Sequence, residues 1–115
     1  MPVHRWDRMP EEQLNPQLAR RVLHGSNMTV ARLRLAKGAL VPAHSHPHEQ
    51  ITMLLEGALR FRMPEGEIVL GGGDMLHIPP HAEHAVEALE DSVAIDLFAP
   101  VRDDWARGDD SYLRR

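Results

Sequence analysis

The chain of 115 residues contains no cysteine. That excludes disulfides, thiolate metal ligands and a cysteine nucleophile. Aromatic residues make up only 4% of the sequence, whereas the apolar fraction of 43% is ordinary for a globular domain and argues against disorder. No stretch approaches the ~18 uninterrupted apolar residues of a membrane-spanning helix. The N-terminal run from Met1 to Arg8 lacks the apolar core of a signal peptide. The formal net charge is −4 with both signs scattered, so there is no basic footprint for nucleic acid and no polybasic membrane patch. The expectation is a cytoplasmic protein of one domain, spanning 1–115, that acts on neither nucleic acid nor membrane. No helical stripe of three turns appears between residues 20 and 100, and no DNA-binding helix pair is present. A complete transcriptional regulator is therefore not the expectation.

What is present is a series of short strand-like runs. Met28–Leu35 ends in alternation, with Leu33 and Leu35 set against Arg32 and Arg34. Further runs cover Gln50–Leu55, Ala58–Met63, Glu67–Leu70, Met75–Ile78, His84–Leu89 and Val93–Phe98. Glu56-Gly57, Pro64-Glu-Gly66, Gly71-Gly-Gly73, Pro79-Pro80 and Glu90-Asp91 punctuate them. Short strands at this spacing predict an all-β domain, a single antiparallel barrel or sandwich over 20–100. Residues 1–19, with Pro2, Pro10 and Pro16, read as an irregular arm with a short helix near Pro10 to Leu14. Residues 101–115 read as a charged tail, frayed or briefly helical.

Eight histidines stand out, five of them between His44 and His81. In a strand, His44 and His46 point to one face with Cα atoms roughly 6.5–7 Å apart, close enough for two imidazoles to converge on one ion. The segment from Gly73 to Pro79 leads to a further histidine, His84. A lone strand histidine is more often a hydrogen-bonded structural residue than a ligand. The pair and its glycine frames favour a metal, and neutral imidazole suits several transition metals alike.

Together the two segments resemble the paired motifs of the cupin superfamily. Gly38, His44, His46 and Gly57 fall in place in the first, with Gln50 where glutamate is usual. Gly73, Pro79 and His84 match the second, with His81 where glycine is usual. The resemblance implies a jelly-roll barrel with one divalent transition-metal ion (zinc, nickel, iron or manganese) on His44, His46, Gln50 and His84. A neutral glutamine leaves the ion's full charge in place, which makes a stronger Lewis acid and favours an anionic small-molecule substrate. For Gln50 the alternative is a barrel-lining amide bonded to the backbone. His48, His77 and His81 read as turn, mouth or supporting residues, and His4 and His24 as structural ones.

The run from His44 to Gln50, with Asp96-Leu-Phe98-Ala-Pro-Val-Arg102, is similar to KdgF-type small cupins, which linearise 4,5-unsaturated uronates from pectin and alginate breakdown. That resemblance implies Asp96 as proton shuttle, Arg102 as carboxylate anchor, and Phe98 at the pocket beside the metal. The alternatives are Asp96 paired across the sheet with Arg60 or Arg62, Arg102 solvated in the tail, and Phe98 as plain core. Two rival functions stand beside this one. One is a metal-dependent dioxygenase acting on a phenol or diketone, and the other is a non-catalytic module that binds a small acid. Exposed strand edges on so small a barrel further suggest a homodimer paired edge to edge.

Overall fold

The computed structural model describes all residues from 1 to 115. Ten strands follow in order: β1 (Glu12–Asn15), β2 (Leu18–His24), β3 (Thr29–Leu35), β4 (Leu40–His44), β5 (Glu49–Glu56), β6 (Ala58–Met63), β7 (Gly66–Gly71), β8 (Met75–Ile78), β9 (His84–Ala88) and β10 (Ser92–Ala99). They form a six-stranded sheet in the order β1-β2-β3-β10-β5-β8 and a four-stranded sheet in the order β4-β9-β6-β7. Every pairing is antiparallel. The architecture is the antiparallel all-β domain that the strand spacing predicted and the jelly roll that the resemblance implied, drawn as two facing sheets whose ladders do not run into one continuous closed barrel. No helix is long and apolar enough to cross a membrane.

The alternation that forms the strands also builds the core. Along β3, Thr29, Ala31, Leu33 and Leu35 are buried, while Val30, Arg32 and Arg34 point away. Leu54, Leu59, Phe61 and Leu70 meet them from the other strands in a cluster of 17 buried apolar residues. The β5–β6 turn requires Gly57, whose φ is +96° and whose absent Cβ would lie 2.5 Å from the Asp91 carbonyl oxygen.

The N-terminus differs from expectation, and of the two forms expected for the C-terminus the short helix is the one found. The helix near Pro10 to Leu14 is absent; a single 3₁₀ turn spans Trp6–Arg8 instead, and Glu12 to Asn15 is strand. The turn at Pro16 explains the hairpin. The Asn15 side-chain oxygen accepts from the Gln17 amide at 2.8 Å, and proline presets the bend. The strands therefore begin at residue 12 rather than 20. The C-terminal stretch is not frayed. It forms α1 (Asp103–Ala106) and a 3₁₀ turn at Ser111–Leu113, and it buries Trp105, Asp110 and Leu113. Asp110 pairs with Arg20, which is itself buried on β2. Asn15 donates to the Leu113 carbonyl at 3.1 Å, tying tail to hairpin.

Candidate functional site

At one end of the sandwich the inward positions turn from apolar to polar. His44 closes β4 and His84 opens β9, and the two are direct cross-strand partners. Their rings lie 4.3 Å apart between centroids. His46 is not on the strand, as the pairing argument had it, but in the connection between β4 and β5. The His81 amide donates to the His46 carbonyl at 2.8 Å and holds the connection there. One ring nitrogen from each of His44, His46 and His84 lies within 4.8 Å of the others. That ceiling lies a little above the ~3–4 Å that ~2.1 Å metal–nitrogen bonds impose.

The tautomers are set by the backbone. His44 Nδ1 lies 2.9 Å from the Pro42 carbonyl, His84 Nδ1 2.9 Å from that of Ala82, and His46 Nδ1 3.0 Å from that of His48. A carbonyl only accepts, so each Nδ1 carries the proton and each Nε2 keeps a lone pair. Burial keeps the rings neutral: it lowers His44 and His46 to about 4, and it lowers His84 as well.

Gln50, on β5, completes the set. Its Nε2 donates to Thr52 Oγ1 at 2.9 Å, which aims Oε1 at His46 Nε2, 3.0 Å away. Two acceptors so placed in a buried pocket need a cation between or beside them. The donor set of three imidazole lone pairs and one amide oxygen therefore fits a divalent ion. The hydrogen-bond series continues from the Thr52 hydroxyl to Asp96 Oδ1 at 2.6 Å. Thr52 and Asp96 are cross-strand partners, as are Gln50 and Phe98.

Asp96 is half-buried on the wall of a cavity that it shares with His44, Gln50, His84, Phe98 and Tyr112. Desolvation pushes its carboxyl up to about 6, against the opposing pull of the Thr52 hydroxyl and the Arg102 charge. It does not pair with Arg60 or Arg62, which bind Glu67 and Glu87 on the outside of the other sheet. Phe98 stands edge-on to His46 at 5.7 Å.

Arg102 is 1% exposed, so it is not a solvated tail residue. Its Nε and Nη2 engage Asp104 at 3.0 and 2.8 Å, and its guanidinium packs against the rings of both Phe98 and Trp105. The fork expected for a substrate carboxylate thus already holds Asp104. Only Nη1 has no partner.

Tyr112 and Trp105 were not singled out as site residues from the sequence. The Tyr112 ring packs on His44 at 4.5 Å, and its hydroxyl accepts from Arg102 Nη2 at 3.1 Å and from Trp105 Nε1 at 3.2 Å. The only signal was two of the chain's scarce aromatics in an otherwise charged stretch. His81 is exposed with φ +67°, the left-handed backbone that explains glycine's use at its motif position. His77 pairs with Glu49 at the surface, His24 bonds Thr29, and buried His48 lies 4.0 Å from Asp104.

A jelly roll with three inward histidines able to hold a metal defines the class, and the chain belongs to the cupin family. The cupin domain matches residues 31–98. Among solved structures it is similar to KdgF from Halomonas sp., with 31% identity and a TM-score of 0.80 over 86% of this chain and 94% of that one. It is also similar to an RmlC-like cupin from Shewanella frigidimarina, at 27% identity and TM-score 0.81 over 86% and 90% of the two chains. Bacillus subtilis oxalate decarboxylase, whose structure is described with Mn(II) centres, shares the fold alone. It has 18% identity and a TM-score of 0.73, over 84% of this chain and 29% of that one. No curated protein matches the chain in sequence.

Proposed function

We propose that the protein is an enzyme that opens the ring of a 4,5-unsaturated uronate, with His44, His46, Gln50 and His84 holding one divalent ion. The observation that carries this reading is the directed series Gln50–Thr52–Asp96, which joins the candidate ligands to a carboxyl lifted to about 6. A group titrating there exists in both protonation states near neutrality and can take a proton and return it. Likeness to KdgF supports the substrate class.

The reaction is an isomerisation. Asp96 accepts the proton of the anomeric hydroxyl, the bond from C1 to the ring oxygen breaks, and a carbonyl forms at C1. The electron pair passes through the ring oxygen and C5 to C4. Protonation of C4, by the proton Asp96 holds, leaves a ketone at C5. No water, oxidant or reductant enters. A bound divalent ion supplies positive charge for the oxygen that becomes anionic. Arg102 offers Nη1 to the substrate carboxylate, while Asp104 and the flanking rings fix the guanidinium. Phe98 walls the site.

The test is loss of the conjugated enol-ether absorbance in the ultraviolet, run anaerobically with metal-loaded and chelated protein on pectin- and alginate-derived uronates. Acceleration over the spontaneous blank by the loaded form is expected. A rate equal to the blank for both substrates overturns the proposal. Turnover of a phenol or diketone that depends on oxygen would favour the dioxygenase instead.

A further inference from the structure

The cavity wall carries many hydrogen-bond donors, yet the fold engages almost all of them internally. The Nδ1 protons of His44 and His84 go to the carbonyls of Pro42 and Ala82. Gln50 donates to Thr52 and toward Asp96, and the Thr52 hydroxyl donates to Asp96. Trp105 Nε1 donates to Tyr112. What the wall turns inward is therefore mostly acceptors: imidazole lone pairs, Gln50 Oε1 and the Asp96 carboxylate. A cation satisfies the ligand set, but a small acid brings acceptor oxygens of its own and needs protons aimed at them.

Tyr112 holds one such proton. Its oxygen accepts from Arg102 Nη2 at 3.1 Å and from Trp105 Nε1 at 3.2 Å, and its own O–H meets no acceptor in the chain. A hydroxyl that receives two N–H donors is polarised into a better donor. Tyr112 lines the cavity together with Asp96, His44 and His84. Packing of its ring on His44 at 4.5 Å fixes its place there. On the guanidinium that grips the phenol, Arg102 Nη1 is buried without a partner. Two free donors, one charged and one neutral, thus belong to one hydrogen-bonded unit. A carboxylate has two oxygens to meet them.

We propose, resting on the reading of the site as one for a sugar acid, that Tyr112 binds the substrate carboxylate. Its hydroxyl donates to one carboxylate oxygen while Arg102 Nη1 holds the other, and the pair makes the site select acids over their esters. Tyr112 is the only tyrosine of the chain, so Tyr112→Phe removes its only phenolic proton and keeps the ring that packs on His44.

Calorimetry on the zinc-loaded protein tests this with D-galacturonate, whose ring has no 4,5 double bond and cannot react, against its methyl ester. The parent should bind the acid roughly tenfold tighter than the ester or better. Tyr112→Phe should weaken acid binding about tenfold and ester binding less than about threefold, with circular dichroism and metal content unchanged. The same change in an Arg102→Lys background separates donation from support. A phenol that donates directly still costs the acid several-fold there, whereas one that only steadies Arg102 costs nothing. Equal losses for acid and ester overturn the proposal, as does no loss, or a loss that vanishes beside Arg102→Lys. A parent that does not prefer the acid overturns it too. A parent that keeps the preference yet opens no unsaturated uronate sinks the ring-opening reading and leaves Tyr112 as a carboxylate donor.

Discussion

The two halves of the interior are made by the same strands yet behave as different materials. Along β5 the inward residues are Gln50, Thr52 and Leu54, and their partners on β10 are Phe98, Asp96 and Ala94. Within five residues the same ladder passes from a polar, histidine-lined pocket to close-packed hydrocarbon. Backbone, register and alternation are common to both halves, so the difference lies wholly in which side chains occupy the inward positions. The apolar half also shapes the polar one. By excluding water, the sandwich holds the histidines neutral and lifts Asp96.

The sharpest way to break the comparison is to empty one half at a time. The double variant His44→Ala, His46→Ala should lose its metal entirely, as elemental analysis of tag-free protein would read, while circular dichroism stays that of a β protein. Undiminished occupancy would refute the ligand assignment. In the other half, Leu54 is 1% exposed. Leu54→Ala should lower stability by about 2–5 kcal/mol in denaturant titration and leave metal stoichiometry unchanged. If that variant lost its metal as completely as the histidine pair, the two halves would not be separable.

Within the polar half the next largest effect belongs to Asp96. Asp96→Asn preserves shape and its place opposite Thr52 but cannot exchange a proton. Turnover of the unsaturated uronate should fall by ~10²-fold or more while metal remains bound. Equal turnover in variant and parent would remove Asp96 from the reaction.

How much of this was legible depends on how local the cause is. Period-two alternation marks Asp96 and Phe98 as sharing an inward face, and the glycine frames around His44, His46 and His84 carry the site. Both signals are contained in a few consecutive residues. β2 was missed because its inward residue Arg20 is charged, and its burial makes sense only once Asp110, 90 residues away, is seen beside it. The packing of the tail was missed for a related reason. A four-residue helix is too short to show a stripe, and Trp105 and Tyr112 gain their role from contacts with Arg102 and His44. His46 was expected on a strand but lies in the connection after β4, its carbonyl held by the His81 amide, a distant contact that strand periodicity cannot show.

Acid should erode the polar half first. His44 and His46 are lowered from 6.5 to about 4. Below pH ~6.5 the unfolded chain therefore takes up protons that the folded chain refuses, and stability is lost as pH falls toward 4. Asp96 has the opposite sign. Raised from 3.8 to about 6, it contributes stability that is present at low pH and lost as pH rises through 6. The lowered histidines, His84 among them, outnumber it, so the sum is a loss on acidification. Melting temperature of the chelated protein should be level from pH 8 to 7 and fall from about 6.5 downward. The loaded protein should release metal over the same window, because protons compete for Nε2. A melting temperature unchanged down to pH 5 would contradict neutral burial of these rings.

The smallest expected effect tests whether the tail belongs to the site or merely covers it. Arg102 is gripped in three ways: by the Asp104 carboxylate at 3.0 and 2.8 Å, by the Tyr112 hydroxyl at 3.1 Å, and by the faces of Phe98 and Trp105 at 4.7 and 4.3 Å. Lysine keeps the charge but cannot fork to a carboxylate or stack a planar group on a ring. In Arg102→Lys the positive charge therefore stays near the site with its direction loosened. A group that anchors the substrate carboxylate in ground state and transition state alike acts on KM, so KM should rise roughly tenfold with kcat little changed. If kcat instead falls as far as in Asp96→Asn, the guanidinium works on the reacting atoms, and the tail is part of the catalytic half. If neither parameter moves, Nη1 faces no substrate, and the tail serves only to pack Trp105 and Tyr112 against the wall that carries His44.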